Sequence, residues 1–342
     1  MKFVNVLFVV LLYCTHLSAQ VTLPNNLYFT HIGVEDGLCQ NTVCCILQDH
    51  LGFIWLGTKD GLTRYDGYRF RVFKHDAADP MSIGNNFIRV LYEDADGLIW
   101  IGTNVGVYIY NPETENFRKF DVATERGDVI SREVSSIKCD SSGDLWIGVN
   151  WQGVFRYDRR DESLELYEPV PGDTTSLSSV HVWDLCFDGD GNLWVGSQNG
   201  GLDRYDRETD RFVRHRLKGL SDVSRIVLDK QNQLLLGTMK DGLFSFNPYM
   251  GTCQPLLLDS GHKDLFVRAI FVRNSREVVV GTENGIYIYD CVTRKTRHVN
   301  QELGNPYSLS CKAYIPFTAI RREPCGSELI SEASIIFRPR RR

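Results

Sequence analysis

One short phrase recurs along most of this 342-residue chain. A clear copy reads Asp-Ala-Asp-Gly-Leu-Ile-Trp-Ile-Gly-Thr at residues 94–103. The strong copies carry Trp55, Trp100, Trp146 and Trp194 at one register, and two weaker copies carry Leu235 and Val279 there. Successive copies are 45, 46, 48, 41 and 44 residues apart, which is the period of propeller blades. The repeat therefore predicts a single closed array of similar units.

Each period contains four short runs with the alternation of half-buried strands, separated by turn signals. In the first unit the runs are 43–48, 53–57, 61–65 and 70–74. The predicted fold is an all-β propeller of four-stranded antiparallel blades over residues 20–310, with six complete repeats and a lost or incomplete seventh. Segment 27–34 is expected to be an outermost strand that closes the ring by joining the last blade, because closure removes an exposed sheet edge.

The repeated residues have structural roles in such a blade. The Asp-x-x-Gly step is a tight turn, the tryptophan fills the space between neighbouring sheets, and the following glycine leaves room where strands crowd toward the axis. Arg64, Arg156 and Arg204 recur in register and are interpreted as strand residues of the same kind. The predicted structural set is Trp55, Trp100, Trp146, Trp194, Gly57, Gly102, Gly148, Gly196, Gly237 and Gly281.

Composition and the first residues indicate an exported protein. The net charge of −5 and pI near 5.9 give no reason to expect nucleic-acid binding. Residues 1–19 combine a positive start, an apolar run and small residues before Gln20, which is typical of a secretory signal peptide. We expect a periplasmic or secreted mature chain that does not insert into a membrane, with an uncleaved anchor as the less favoured alternative. The ten cysteines are scattered, which favours buried strand residues over a disulfide framework.

Several phrases resemble the two-component regulator propeller repeats of bacterial hybrid two-component systems. They include Val-Glu-Asp-Gly-Leu at 34–38, Gly-Phe-Ile-Trp-Leu-Gly-Thr at 52–58, Asp-Gly-Leu-Thr-Arg-Tyr-Asp-Gly at 60–67 and Asp-Pro-Met-Ser-Ile at 79–83. The resemblance implies the amino-terminal, periplasmic sensor region of a histidine kinase and response regulator protein, truncated within its first propeller. It also implies sensing of oligosaccharides from polysaccharide breakdown, with further propeller and β-sandwich domains or a homodimer partner. The printed sequence contains no phospho-acceptor His-box and no ATP-binding glycine motif, so kinase activity is not expected of this chain.

No catalytic constellation is evident. The histidines are singly placed, and the Asp-x-Asp-Gly pieces at 94–97 and 188–191 lack the acidic twelfth residue of a calcium loop, so neither cofactor nor metal is expected. The alternative function is a free-standing secreted propeller enzyme of the lyase or glycosidase class.

A ligand, if bound, is expected where rigid strands present variable loops. The loops between second and third strands at 150–152, 198–200 and 239–241 are one residue longer than the first, and Trp151 is an aromatic outside the structural register. An aromatic face beside amide side chains suits sugar rings, whereas packing on the next blade is the alternative for Trp151. The candidate ligand-binding residues are Asn150, Trp151, Gln152, Gln198, Asn199 and Lys240.

Strand alternation stops after residue 310, where a seventh blade should begin. If the codons of residues 313–336 are read in the frame that starts at the third base of each codon, they permit the peptide LYPIYRDPEGTLWIGTYFGGVNYF. The tryptophan of that string falls at register 325, which is 46 residues after Val279. We therefore hypothesise that residues 311–342 are out-of-frame translation after a frameshift near 311–313, the alternative being a genuine basic tail.

Overall fold

A computed structural model describes residues 29, 32–217, 220, 222–256, 265–305, 308–309, 319–320 and 333–334. Signal-peptide residues 1–19 and most of the 311–342 segment lie outside the described residues, so the hypotheses about them stay predictions. The described part of that segment is a two-residue ladder between Ala319–Ile320 and Ala333–Ser334.

Six four-stranded antiparallel sheets follow one another along the chain, which confirms the all-β propeller. Blades 1 to 3 contain β1 (Val43–Gln48), β2 (Ile54–Thr58), β3 (Gly61–Tyr65), β4 (Phe70–Phe73); β5 (Ile88–Glu93), β6 (Ile99–Thr103), β7 (Gly106–Asn111), β8 (Asn116–Lys119); β9 (Val134–Cys139), β10 (Leu145–Val149), β11 (Gly153–Asp158) and β12 (Ser163–Tyr167). Blades 4 to 6 contain β13 (Val182–Phe187), β14 (Leu193–Ser197), β15 (Gly201–Asp206), β16 (Arg211–His215); β17 (Val223–Leu228), β18 (Leu234–Thr238), β19 (Leu243–Asn247), β20 (Thr252–Leu256); β21 (Val267–Val272), β22 (Glu277–Thr282), β23 (Gly285–Asp290) and β24 (Thr296–Val299). Each sheet is a simple meander, so the turn spacing in the sequence was sufficient to place the strands to within about a residue.

The first strand of every blade lines the axis, and these strands pack consecutively in the order β1, β5, β9, β13, β17 and β21. Each of them carries a register shift near its start, as between Val43 and Cys45 or between Ile88 and Val90. A bulge of this kind turns one extra side chain out of the regular alternation. That residue is Cys44 in blade 1, Arg89 in blade 2 and Trp183 in blade 4, and all three face the axial cavity described below.

The aspartate of each strong repeat does more than close its turn. In blade 2 one carboxylate oxygen of Asp94 accepts the Leu98 amide at 3.0 Å, while the other accepts the indole N–H of Trp100 at 2.8 Å. Trp55, Trp146 and Trp194 donate to their own aspartates in the same way at 2.7, 3.1 and 2.8 Å. The carboxylate thus satisfies the polar atom of a side chain whose burial would otherwise leave it without a partner.

The glycine after the tryptophan is required by a close approach between blades. A Cβ at Gly102 would lie 2.4 Å from Val90 and 2.6 Å from Val134 of the next blade. At Gly237 it would lie 2.6 Å from Val267, again on the following inner strand. Any larger residue would push neighbouring blades apart, which explains why the weak repeats keep the glycine after losing the tryptophan.

Part of the amino-terminal segment packs against blade 6. Phe29, from the segment expected to close the ring, packs with Val279, Ile286 and Ile288 of this blade and with Leu309. Most of segment 27–31 lies outside the described residues, and Val34, its expected last residue, instead begins a 3₁₀ turn over Val34–Asp36. Within the described residues β21 does not pack against β1 as the other inner strands pack on one another.

Candidate functional site

A cavity of about 320 Å³ opens at the end of the axis where the inner strands begin. Its lining combines bulge residues of the inner strands with residues from the loops between second and third strands. Charged and polar members are Thr42, Lys59, Arg89, Glu133, Ser135, Asn150, Trp183, Arg225, Arg268 and Glu283. The volume lies at the lower end of the range of small-molecule sites.

Two ion pairs lie in this lining, one between blades 2 and 3 and one within blade 6. Arg89 pairs with Glu133, and Arg268 pairs with Glu283. The guanidinium groups of both arginines also lie over aromatic rings, Arg89 over Phe87 at 5.0 Å and Arg268 over Phe266 at 3.6 Å. These contacts fix the orientation of the charged groups around the cavity.

The candidate residues of the third blade lie at the rim of the cavity. Asn150 is part of the lining, and its side-chain oxygen lies 3.3 Å from Nδ1 of His181. Trp151, which is 63% exposed, meets the same imidazole edge to face, with 4.0 Å between ring centroids. The ring packs on a loop of the adjacent blade while most of its surface remains open to solvent.

The side chain of one other predicted binding residue, Gln152, stabilises a loop. The side chain of Gln152 accepts from Ser131 N and donates to Val129 O, both at 3.0 Å, so both ends of its amide are engaged. The predicted residues outside the cavity lining are Trp151, Gln152, Gln198, Asn199 and Lys240. The structure therefore brings one of the six candidates into the cavity and leaves the others on the surrounding loops.

Backbone geometry at Trp151 is unusual for a large aromatic residue. Its φ of +69° lies in the left-handed region, which L-residues with bulky side chains rarely adopt. The equivalent residue of blade 4, Asn199, has φ +59° and is of a type that tolerates this conformation. A strained and exposed tryptophan at the rim is the kind of outlier that points to a binding role.

Asn150 is the one lining residue that was a sequence candidate, and the residues missed include Arg89, Trp183, Arg225 and Arg268. A strand assigned by strict alternation has no place for an extra residue, so the bulge that turns Arg89, Trp183 and Arg268 toward the axis was not foreseen. A partial signal was present, because a long or charged side chain follows the first buried residue of several inner strands.

One buried carboxylate supports the segment that carries His181 and Trp183. Asp203 on β15 is fully buried, and its Oδ2 accepts from Ser178 N at 2.9 Å and from Ser178 Oγ at 2.6 Å. Its Oδ1 is buried without a hydrogen-bond partner among the described residues. Burial raises the pKa of Asp203 to about 6, although the Ser178 hydrogen bonds act in the opposite direction. A folded-state pKa above that of the unfolded chain means that ionisation opposes folding.

Asp203→Asn is therefore expected to stabilise the protein in a pH-dependent way. The free-energy penalty of ionising Asp203 in the folded protein is absent below the pKa of about 4 that this group has in the unfolded chain. It grows between pH 4 and 6 and is complete above the pKa of the group in the folded protein. The advantage of the variant over the parent should grow by roughly 2 kcal/mol between pH 4.5 and 8. Urea unfolding at both values measures it, with exposed Asp161→Asn as control. An advantage independent of pH would contradict this account of Asp203.

No helix in the described part of the chain has the length and apolar character needed to cross a bilayer. Among those same residues there is also no group of three or more His, Cys, Asp or Glu side chains placed to hold a metal ion.

Six blades arranged around an axial cavity define a β-propeller. Residues 37–60, 82–105 and 176–199 each match the family described as two component regulator propeller. These three segments are thus similar to two-component regulator propeller repeats, as the recurring phrases predicted. A 59-residue stretch is 39% identical to histidine kinase P4 of Formosa agariphila, over 17% of this chain and 4% of that protein.

Solved structures with the same fold include extracellular domains of two component systems. The extracellular domain of a putative hybrid two component system from B. thetaiotaomicron is 27% identical, with a TM-score of 0.73 over 85% of this chain and 39% of that one. A second such domain from the same organism has a TM-score of 0.74 at 21% identity, over 86% of this chain and 37% of its own. The present chain thus spans about two fifths of these extracellular domains. Virginiamycin B lyase from Staphylococcus aureus, at 12% identity and a TM-score of 0.59, is alike in fold alone.

Proposed function

We propose that this chain is the ligand-binding propeller of an extracytoplasmic two-component sensor and that it recognises oligosaccharides without converting them. The observation that carries the proposal is the axial cavity with its aromatic rim, held by strands of rigid blades. The similarity to extracellular domains of hybrid two component systems supports the sensory role and the location outside the cytoplasm. Signal output then depends on further propeller, sandwich or kinase segments, or on a homodimer partner.

The chemistry of the rim suits a sugar. The exposed face of Trp151 can cover the apolar C–H surface of a pyranose ring, while Asn150 can hydrogen-bond its hydroxyl groups. The cavity behind the rim contains further donors on Ser135 and Trp183. This combination of one apolar face and several fixed polar atoms is how compact sites bind polar ring compounds with defined orientation.

Calorimetry against a panel of neutral and acidic oligosaccharides, run with product analysis, tests the proposal. Binding without turnover is expected, and turnover of a bound saccharide would favour the lyase or glycosidase alternative. Trp151→Asn introduces the residue type that blade 4 has at the equivalent position, Asn199, where φ is also positive. We expect this variant to be more stable by up to about 1 kcal/mol, because backbone strain is relieved, and to bind the saccharide at least tenfold more weakly.

The opposite signs of the two Trp151 effects separate binding from folding. A variant that merely damages the loop would lose stability and affinity together. Gln152→Glu at the neighbouring position, whose side chain is occupied by Val129 and Ser131, is the matched control for loop damage. Unchanged affinity in Trp151→Asn would remove Trp151 from the site, and failure of the whole panel to bind would overturn the proposed function.

A further inference from the structure

The axial cavity is cationic although the protein as a whole is acidic. Its lining contains the positive side chains of Lys59, Arg89, Arg225 and Arg268 against the carboxylates of Glu133 and Glu283, whereas the whole chain has a net charge of −5. The two carboxylates are already engaged by Arg89 and Arg268. Lys59 and Arg225 form no ion pair with any residue that the structure describes. The cavity therefore has two positive charges that the described residues do not neutralise.

Arg225 is held in place by neutral groups. Its Nε donates to the carbonyl oxygen of Arg268 at 2.9 Å, and its Nη1 donates to that of Ser224 at 2.9 Å. These carbonyls orient the guanidinium plane but leave its charge intact, and Nη2 makes no hydrogen bond to the described part of the chain. A pre-oriented guanidinium whose Nη2 can still donate hydrogen bonds is suited to bind an oxyanion, because little side-chain freedom is lost on binding.

Two further polar atoms of the same lining lack partners. The indole Nε1 of Trp183 and the hydroxyl of Ser135 are buried and make no hydrogen bond to a described residue. Leaving such a group without a hydrogen bond is unfavourable. Two such groups in one cavity therefore point to a ligand or to ordered water. Ammonium, guanidinium and indole groups are donors only, and a site rich in donors is complementary to a ligand rich in acceptor oxygens.

We propose that the axial cavity selects an acidic saccharide, whose carboxylate or sulfate group pairs with Arg225 and Lys59 beside the Trp183 indole. This inference rests on the proposed function, since it specifies the ligand class of the same site. Uronic acids and sulfated sugars both present the required oxyanion on a ring that the rim can cover. The position of Arg225 on an inner strand, not on a loop, fixes the anion near the axis.

Matched ligands test the charge requirement directly. Oligogalacturonate, a sulfated galactose oligomer and the uncharged galactose oligomer of equal length are titrated at low and moderate salt. We expect at least one acidic ligand to bind at least tenfold more tightly than the neutral one and to weaken as salt is added, since salt screens the attraction. Whichever acidic ligand binds more tightly identifies the carboxylate or the sulfate as the preferred group.

Three variants locate the interaction. Arg225→Gln and Lys59→Gln should each weaken the acidic ligand by roughly tenfold or more, the range expected for one charge-assisted hydrogen bond. Affinity for the neutral ligand should change little. Arg118→Gln removes the same charge from the exposed outer strand of blade 2 and should leave all affinities as they were. If Arg225→Gln fails to fold, Lys59→Gln still tests the inference. Its folding should be unaffected, because the Lys59 side chain makes no hydrogen bond to a described residue.

Outcomes distinguish this inference from the proposed function. If neutral and acidic oligomers bind equally, the charge selection is wrong and the saccharide-binding function stands. If acidic ligands bind but neither cavity variant weakens them, the axial cavity is not their site and the inference is overturned. If no saccharide binds at all, the proposed function and this inference both fail.

Discussion

Trp146→Ala is expected to lower the free energy of unfolding by about 3–5 kcal/mol, the range for removing a fully buried tryptophan. The side chain is 1% exposed and fills the space between blades 3 and 4, where its ring lies 4.7 Å from that of Tyr205 and 5.8 Å from that of Tyr167. The substitution also leaves Asp140 without the indole donor at 3.1 Å. Arg207 of blade 4 still contacts the Asp140 carboxylate at 2.7 Å, so the carboxylate keeps a partner in the variant. Part of the lost stability therefore comes from the missing packing of the indole ring.

Two comparisons make the Trp146 result interpretable. Trp146→Phe keeps most of the apolar surface but removes the N–H and part of the ring, so its loss should be smaller, about 1–2 kcal/mol. Trp151→Ala truncates an exposed indole and should change stability by no more than about 1 kcal/mol. Urea unfolding followed by far-ultraviolet circular dichroism gives all three values. Equal losses at Trp146 and Trp151 would contradict the structural role assigned to the repeat tryptophans.

Replacing residues 313–336 by the string LYPIYRDPEGTLWIGTYFGGVNYF is expected to raise the unfolding midpoint by roughly 10 °C, which corresponds to several kcal/mol for a domain of this size. The reason lies in a comparison of interfaces. Between blades 3 and 4, Trp146, Val154 and Leu177 pack against six buried apolar side chains of blade 4, Val182, Leu185, Leu193, Val195, Tyr205 and Phe212. The corresponding residues at the end of the array are Val279 and Ile286 of blade 6 and Leu309 after it, and Phe29 is the buried side chain from another segment that packs with them among the described residues.

The segment before residue 310 also has the same local hydrogen bonds as the segment that precedes blade 4. Ser308 donates to the carbonyl oxygens of Glu302 and Asn305, just as Ser176 donates to that of Asp173 before blade 4. The matched control is a scrambled version of the string with the same composition, which should not raise the midpoint. Differential scanning calorimetry measures the three chains. An unchanged midpoint with the ordered string, or third bases in the gene that do not spell it, would end the frameshift hypothesis.

Recurrence made most of the fold predictable. Aspartate turns, tryptophans and glycines at one register are local signals, and their period of about 45 residues left few alternatives for strand order. The site was less predictable, because the six candidates were chosen from loop length and residue type, and loop residues such as Gln152 proved to be engaged in holding loops together. Loop composition carries no information about which side chains are already satisfied by neighbours from another blade.

Sequence alone determined the blade, since each of its turns and strands depends on residues within one period and repeats with them. Only the tertiary structure decided what meets at the axis. Arg89 and Glu133, or Arg225 and the Arg268 carbonyl, come from different blades, 44 and 43 residues apart along the chain, and are neighbours because inner strands converge. Arg89 and Arg268 face the cavity because a bulge adds one residue to each inner strand, and alternation cannot reveal a residue that breaks it. The charge of the cavity is therefore a property of several blades together, which no single repeat displays.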